Sequence, residues 1–232
     1  MKDKIELLKK YINSSKYTIV VTGAGISVSS GINVFLRTNM IYGAEICSKF
    51  ILTKFPKHYY KVLRKSFLNA IFSNGPSITH KKIAELEKKG LINGIVTTNI
   101  DNLHTIAGNK NVAEMQGSFG LNKCLKCNTE YNDINIWNNG EVPRCNKCGG
   151  IIAPYTVYKK VFIAENEKKK AIQYFSKADL IIVVGTNTYY RDYIKLIKEN
   201  CKIININPNK APMEKVACLN IKANADDVFK LL

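Results

Sequence analysis

Apolar positions along the chain follow two rhythms. Residues 1–14 place Ile5, Leu7, Leu8 and Ile12 at three- and four-residue spacing, which predicts an amphipathic helix. A continuous apolar run, Tyr17 to Thr22, follows at once and ends in Gly23-Ala24-Gly25-Ile26-Ser27. A run with no polar face belongs to a strand covered on both sides, and glycines at its end suit a turn from a parallel strand into a phosphate-facing loop and helix. Similar runs recur at 94–98, 180–184 and 203–206, with shorter ones at 112–115 and 218–221. Helical periodicity at 78–89, 168–176 and 190–199 alternates with them. The alternation predicts an α/β fold, a Rossmann-like doubly wound parallel sheet.

Two stretches break this rhythm. Residues 38–75 read as helical, rich in Tyr, Phe, Lys and Leu, and residues 123–165 are turn-rich and punctuated by cysteine. Both are expected to be insertions that form a small zinc-binding and helical lobe over one edge of the sheet. The large part is then about 1–37, 76–122 and 166–232, with a helical module at 38–75 and a zinc module at 123–165. At 232 residues the chain can bury one sizeable core with such insertions, so a single domain is expected.

Charge adds a surface property rather than a fold. Lys and Arg number 35 against 18 Asp and Glu, for a formal net charge of +17. Such a molecule attracts acidic partners, although short runs such as Lys168-Lys169-Lys170 also suit solvated helix faces. No recognisable nucleic-acid module accompanies the charge, which favours an acidic protein over nucleic acid. No apolar run approaches the ~20 residues of a membrane span, and the start MKDKIELLKK lacks the apolar core of a signal peptide. The expectation is a soluble, cytoplasmic protein with no membrane association.

Of seven cysteines, four form two CxxC pairs, Cys124/Cys127 and Cys145/Cys148, separated by 17 residues. This is the two-knuckle spacing of a tetrahedral structural zinc site, in which four thiolates close the coordination sphere and leave no position for catalysis. Gly149-Gly150 behind the second pair suits the tight backbone of such ribbons.

The glycine loop is weaker alone, because the third position of a GxGxxG fingerprint is Val28 and no acidic residue closes a second strand. An ordinary dehydrogenase site is not expected. The motifs taken in order say more. Gly23-Ala24-Gly25-Ile26-Ser27, Ser30-Gly31-Ile32, Thr98-Asn99-Ile100-Asp101-Asn102-Leu103-His104, Gln116-Gly117-Ser118, the CxxC pairs, Gly185-Thr186-Asn187 and Ile206-Asn207 together resemble the sirtuin family. The resemblance spans nearly the whole chain. It implies a Rossmann-like large domain, a small zinc-and-helix lobe, and NAD in the cleft between them as a co-substrate that is consumed.

Carried over by position, the resemblance places the pyrophosphate on Ala24, Gly25 and the following helix, with Gly23 and Ser27 also in the cofactor-binding loop, and Ile26 at the wall of the nicotinamide pocket. Thr98, Asn99 and Asp101 lie in that pocket; Asn99 orients the nicotinamide ribose or a water, and Asp101 accepts from the carboxamide. Phe35 covers the cofactor loop. Gly185, Thr186 and Asn187 line the phosphates and the distal ribose, and Asn207 binds the adenosine ribose. His104, at the end of the NID-x-LH segment, is read as structural.

Several positions depart from the family pattern. Sirtuin deacylases carry histidine where this chain has Gln116, and in the family mechanism that histidine is the general base on a ribose hydroxyl. A glutamine amide can position a group but cannot take a proton near neutral pH. Asn33-Val34-Phe35-Leu36 replaces Pro-Asp-Phe-Arg, Thr97-Thr98-Asn99 replaces Thr-Gln-Asn, and Ala153–Lys160 departs from the strand that pairs with an acyl-lysine peptide. Thr97-Thr98-Asn99, Gln116-Gly117-Ser118-Phe119-Gly120 and Phe162-x-x-Glu165 are similar to the class M, macrodomain-linked branch, associated with protein ADP-ribosyltransferase activity on lipoyl-carrier proteins. The resemblance therefore implies an NAD-consuming ADP-ribosyltransferase that releases nicotinamide, with Asn99, Asp101 and Gln116 as catalytic residues and a protein substrate such as an acidic lipoyl carrier. The alternatives are an NAD-dependent lysine deacylase and a catalytically silent NAD or ADP-ribose sensor.

Overall fold

Strand β1 (Thr18–Thr22) is buried at every residue and organises the sheet around it. It pairs in parallel with β2 (Gly94–Thr97) on one side and β7 (Leu180–Val184) on the other, in the registers Ile19↔Gly94 and Thr18↔Leu180. With β3 (Val112–Glu114), β8 (Lys202–Ile206) and β9 (Leu219–Ile221) they form a six-stranded sheet in the order β3-β2-β1-β7-β8-β9, all parallel. This is the doubly wound order, and the direction of winding reverses between β1 and β7. The computed structural model describes residues 1–32, 48–155, 163–187 and 195–232.

Alternation along β1 sends its side chains to opposite faces. Val20 joins Ile95, Ile182 and Ile204 beneath helix α1 (Lys2–Ser14), which buries Ile5, Leu8 and Ile12 there. Ile19 and Val21 join Val96, Ile181 and Val183 on the other face, covered by Ala171 and Phe175 of the helix Ile163–Lys177. Leu8 is fully buried, so Leu8→Ala removes its transfer energy and leaves a cavity, costing about 2–5 kcal/mol.

A third apolar cluster serves the inserted segments. The helices α2 (Lys49–Lys54), α3 (Pro56–Leu63) and α4 (Asn69–Asn74), with a π-helical turn at Arg64–Leu68 before α4, contribute Leu52, Tyr59, Leu63 and Ile71. Pro56 occupies the first turn of α3, where its missing N–H costs nothing. Against these pack Phe119, Ile134 and Trp137, which adjoin a small antiparallel sheet of β4 (Asn122–Cys124), β5 (Glu130–Tyr131) and β6 (Ile152–Pro154) in the order β5-β4-β6. The Tyr60 hydroxyl donates to the Trp137 carbonyl at 2.8 Å, tying helical and cysteine-bearing segments together. Residues of both segments thus share one core.

The predicted strands at 94–98, 112–115, 180–184, 203–206 and 218–221 all form, as do the helices at 1–14 and 78–89. The helix expected over 190–199 is not found where it can be followed: Lys195–Glu199 runs in turns, and 188–194 lie outside the described residues. Also outside them are Phe35, Arg37 and the rest of 33–47, and 156–162, which include most of the altered peptide strand and Phe162.

Candidate functional site

Ligands of doubly wound sheets bind outside the carboxyl ends of the strands where the winding reverses, which here means beyond β1 and β7. Gly23 follows β1 and Gly185 follows β7. The two loops meet backbone to backbone: the Gly25 N–H donates to the Gly185 carbonyl at 2.8 Å. A Cβ on Gly25 would lie 2.6 Å from that carbonyl oxygen, and one on Gly23 would lie 2.6 Å from Cβ of Thr186. The glycines are thus required by loop contact as well as by any approach of a phosphate. Gly185 also has a left-handed φ of 58°.

Past the glycines the chain makes a short 3-10 helix, Ala24–Ser30. Ala24 and Gly25 are exposed, and the Gly25 N–H is already engaged. Ile26, expected at a pocket wall, is 1% exposed and packs in the cluster with Val20, Val184 and Ile206.

The strand ends bring Ser27, Asn99 and Asp101 together. Ser27 donates to Asp101 Oδ2 at 2.7 Å, and Asn99 Nδ2 donates to Ser27 Oγ at 3.2 Å and to the Gly23 carbonyl at 3.1 Å. All three side chains are buried. Burial raises the Asp101 carboxyl above its ordinary range, while the Ser27 hydroxyl and the Leu103 N–H on Oδ1 oppose that rise. Asn99 is set from behind, since its N–H donates to Thr97 Oγ1, which accepts from Thr22 Oγ1. Thr98 is half-buried, its N–H on the Thr22 carbonyl at 3.3 Å.

His104 is buried within hydrogen-bond distance of Thr22 Oγ1, at 2.9 Å, and packs edge to face on His80. Burial pushes its pKa down to about 4, so it is a neutral structural imidazole at physiological pH. Farther along the sheet, Asn207 Nδ2 donates to the Thr186 carbonyl at 3.2 Å; both residues are buried, whereas Asn187 is exposed. Gln116 is exposed in a turn closed by the Gly117 N–H on the Glu114 carbonyl, so Asn99 and Asp101 form the buried group and Gln116 lies apart from their hydrogen bonds.

One group was not singled out from sequence. Asn102 sits in the left-handed region at φ 61° and donates to Ser118 Oγ at 3.1 Å and, at 3.4 Å, toward Glu114 Oε1. It thereby joins the loop that carries Asp101 to the turn that carries Gln116. Burial pushes the Glu114 carboxyl up to about 7. The available signal was Asn102 beside Asp101, because asparagine tolerates this backbone region.

The four CxxC thiols lie within 4.8 Å of one another. Cys124 and Cys148 Sγ are 3.5 Å apart, as are those of Cys127 and Cys145. Sulfur ligands about 2.3 Å from a tetrahedral zinc lie about 3.8 Å apart, so the set fits that ion with no ligand to add. A Cβ on Gly150 would lie 2.8 Å from Cys124 Sγ, which is why the second knuckle is followed by glycine. The Tyr131 hydroxyl donates to Cys145 Sγ at 3.0 Å, an outer contact of the kind that orients a ligand.

The fold and site define a Rossmann-type α/β protein with buried polar residues gathered at the sheet's switch point and a four-cysteine set that fits zinc. A family model described as the Sir2 family matches residues 23–190. The chain belongs to that family, the sirtuins. It is 37% identical over 194 residues to an NAD-dependent protein deacetylase of Clostridium perfringens, covering 81% of this chain and 80% of that protein. Among solved structures it resembles a Sir2 homolog–NAD complex, with a TM-score of 0.81 and 29% identity over 97% of this chain and 91% of the other. It also resembles a Sir2 protein bound to a propionylated peptide, with a TM-score of 0.78 and 26% identity over 98% and 96% of the two chains. The relatives' names support the deacylase alternative more than the transferase reading. Among the described residues no helix is long and apolar enough to cross a membrane.

Proposed function

We propose that this sirtuin consumes NAD to remove an acyl group from a lysine of a protein substrate, releasing nicotinamide. The observation that carries the reading is the buried Asn99–Ser27–Asp101 group at the strand ends, in a chain whose relative over four-fifths of its length is named a deacetylase. NAD, when bound, supplies an activated ribose carbon with nicotinamide as its leaving group. Asp101 accepts a hydrogen bond from the carboxamide, Asn99 orients the ribose or a water, and Thr98 lines the same pocket. Gly23, Ala24 and Gly25, with Ser27 behind them, form the floor under the phosphates, together with Gly185, Thr186 and Asn187. Asn207 takes the adenosine ribose. The domain is single, with the cleft between the sheet and the lobe built from about 38–75 and 123–165, and the protein works in the cytoplasm.

A second reading, ADP-ribosyl transfer to a protein such as an acidic lipoyl carrier, is favoured by Gln116. Transfer needs nicotinamide to leave but does not need the later proton abstraction that a glutamine cannot perform. Under the first reading, Gln116 predicts slow deacylation, with water carrying the proton. The test is incubation with NAD and an acyl-lysine protein, followed by mass spectrometry. Loss of the acyl group supports deacylation, addition of ADP-ribose supports transfer, and no nicotinamide release under either condition makes the protein a silent sensor.

A further inference from the structure

We infer that the aromatic pair Phe50 and Phe55, with the lysines around it, is a docking surface for an acidic protein. Phe50 is 63% exposed and Phe55 is 56% exposed. Their rings touch edge to face, with centroids 6.1 Å apart. Single exposed apolar side chains are ordinary, but two large rings in contact form a patch that water solvates poorly.

The helical segment that carries the pair is of one sign. From Ser48 to Ala84 the chain has eight Lys and Arg and no Asp or Glu. Lys54 is one turn from Phe50 on α2, Lys57 is two residues beyond Phe55, and Lys61 follows one turn later on α3. All three are exposed. An apolar centre rimmed by uniform charge is the anatomy of an interface core with an electrostatic rim. The chemistry that matches it is an acidic protein face with an apolar side chain at its centre.

Other occupants fit less well. A second copy would bring another +17 molecule to a basic face. A membrane anchor needs a continuous apolar face, whereas α2 and α3 turn Leu52, Tyr59, Tyr60 and Leu63 inward. Single-stranded nucleic acid stacks on open ring faces, whereas these two rings meet at 67°.

The surface is joined to the candidate site. The same helical segment shares a core with Ile32 and with Leu103, two residues after Asp101. Asn74 Nδ2 donates to the Ser30 carbonyl at 3.0 Å, at the end of the helix that carries Ser27. A protein held on Phe50 and Phe55 is therefore held by the element braced against the cleft loop. The inference rests on the protein-substrate reading above, and it assigns that substrate an acidic docking face.

The test is binding of a fluorescent acidic peptide of about twenty residues, Asp- and Glu-rich with central Leu and Phe, to the full chain at about 0.15 M salt. Phe50→Ser with Phe55→Ser keeps every charge and should weaken binding about tenfold. Lys54→Glu with Lys57→Glu should weaken it at least as much, and Lys168→Glu with Lys169→Glu, on another helix, should weaken it far less. Equal loss from the remote pair, or no loss from the phenylalanine pair, would overturn the inference. So would tighter binding of phosphatidylserine vesicles or of a single-stranded oligonucleotide that the phenylalanine pair abolishes. Nicotinamide release is measured on the same variants with a short, unflanked acyl-lysine peptide and should not change. Because the binding signal does not depend on NAD chemistry, its failure is distinguishable from failure of the deacylase reading.

Discussion

Ser27 holds Asp101: its hydroxyl donates to the buried carboxylate at 2.7 Å while accepting from Asn99 at 3.2 Å. One small side chain therefore positions both pocket residues. Ser27→Ala should lower nicotinamide release on the order of tenfold, because a misplaced reacting group is costly even when binding survives. It should also move the acid limb of the pH–rate profile upward. Burial already raises the Asp101 carboxyl and the serine opposes that rise, so without the serine the carboxylate is lost at higher pH. A rate profile for wild type and variant checks both; an unmoved acid limb counts against the role of Asp101 as a carboxylate.

Gly25→Ala tests the contact between the two loops. The added methyl would lie 2.6 Å from the Gly185 carbonyl oxygen and 2.8 Å from its Cα, backbone atoms that cannot swing aside. Thermal melting should drop, and NAD-dependent stabilisation of the melt should disappear. A variant with wild-type melting and an undiminished NAD shift would show that the loops separate freely.

The zinc module can be read by fluorescence. Trp137 is the only tryptophan, is 1% exposed, and its indole N–H donates to Asn122 Oδ1 at 2.9 Å, in the strand that ends at Cys124. One zinc per chain is expected by metal analysis. Its removal by chelator, or Cys145→Ser, should shift Trp137 emission to longer wavelength and lower the melting temperature, since structural zinc contributes folding free energy. Metal-free protein with unchanged emission and melting would argue against a structural ion.

Stability should depend on pH through groups of opposite sign. His104 is pushed down to about 4 by burial, and His80 is lowered too, by burial and by the charge on His104. The stability their neutral forms contribute is present above the unfolded value of 6.5 and is lost as pH falls toward the folded one; for His104 this is about 3 kcal/mol. Glu114 is pushed up to about 7, so its contribution is present below the unfolded value of 4.5 and is lost as pH rises through 7. Glu114 therefore masks part of the acid loss. Urea unfolding between about pH 4.5 and 6.5 should show a steeper acid decline in Glu114→Gln than in wild type. Parallel profiles would mean that Glu114 is ionised throughout.

Gln116 decides between the two chemistries. Gln116→His should raise deacylation, though by less than the 10²- to 10⁴-fold of a well-placed general base, because the sequence at 153–160 departs from the family's peptide-pairing segment. Gln116→Ala should weaken ADP-ribosyl transfer if the amide orients the acceptor. Robust deacylation by wild type, unchanged in both variants, would show that this position is no barrier.

The strands were legible because a parallel strand buried on both faces has no polar residue to confuse its period, as with Ile19, Val20 and Val21. The cysteine cluster was legible because its ligands come in fixed-spacing pairs. The packing of Ile26 with Val20, Val184 and Ile206 was not, because it depends on the 3-10 turn that follows Gly23, which no spacing reveals. The Asn102–Ser118–Glu114 group also escaped, since it joins residues whose proximity arises only after β3 is laid beside β2.

The register Thr18↔Leu180 and the contact of Gly25 with Gly185 bear on how the molecule comes into being. During synthesis, α1, β1, β2 and β3 can assemble early, but the second half of the cleft floor belongs to a strand that emerges only when about four-fifths of the chain has been made. Pairings of such long sequence separation form slowly. Until β7 arrives, one edge of β1, apolar on both faces, stands unpaired and prone to association. A nascent chain halted before Leu180 should be insoluble and unable to bind nucleotide, and the whole chain should become protease-resistant and nucleotide-binding in one step.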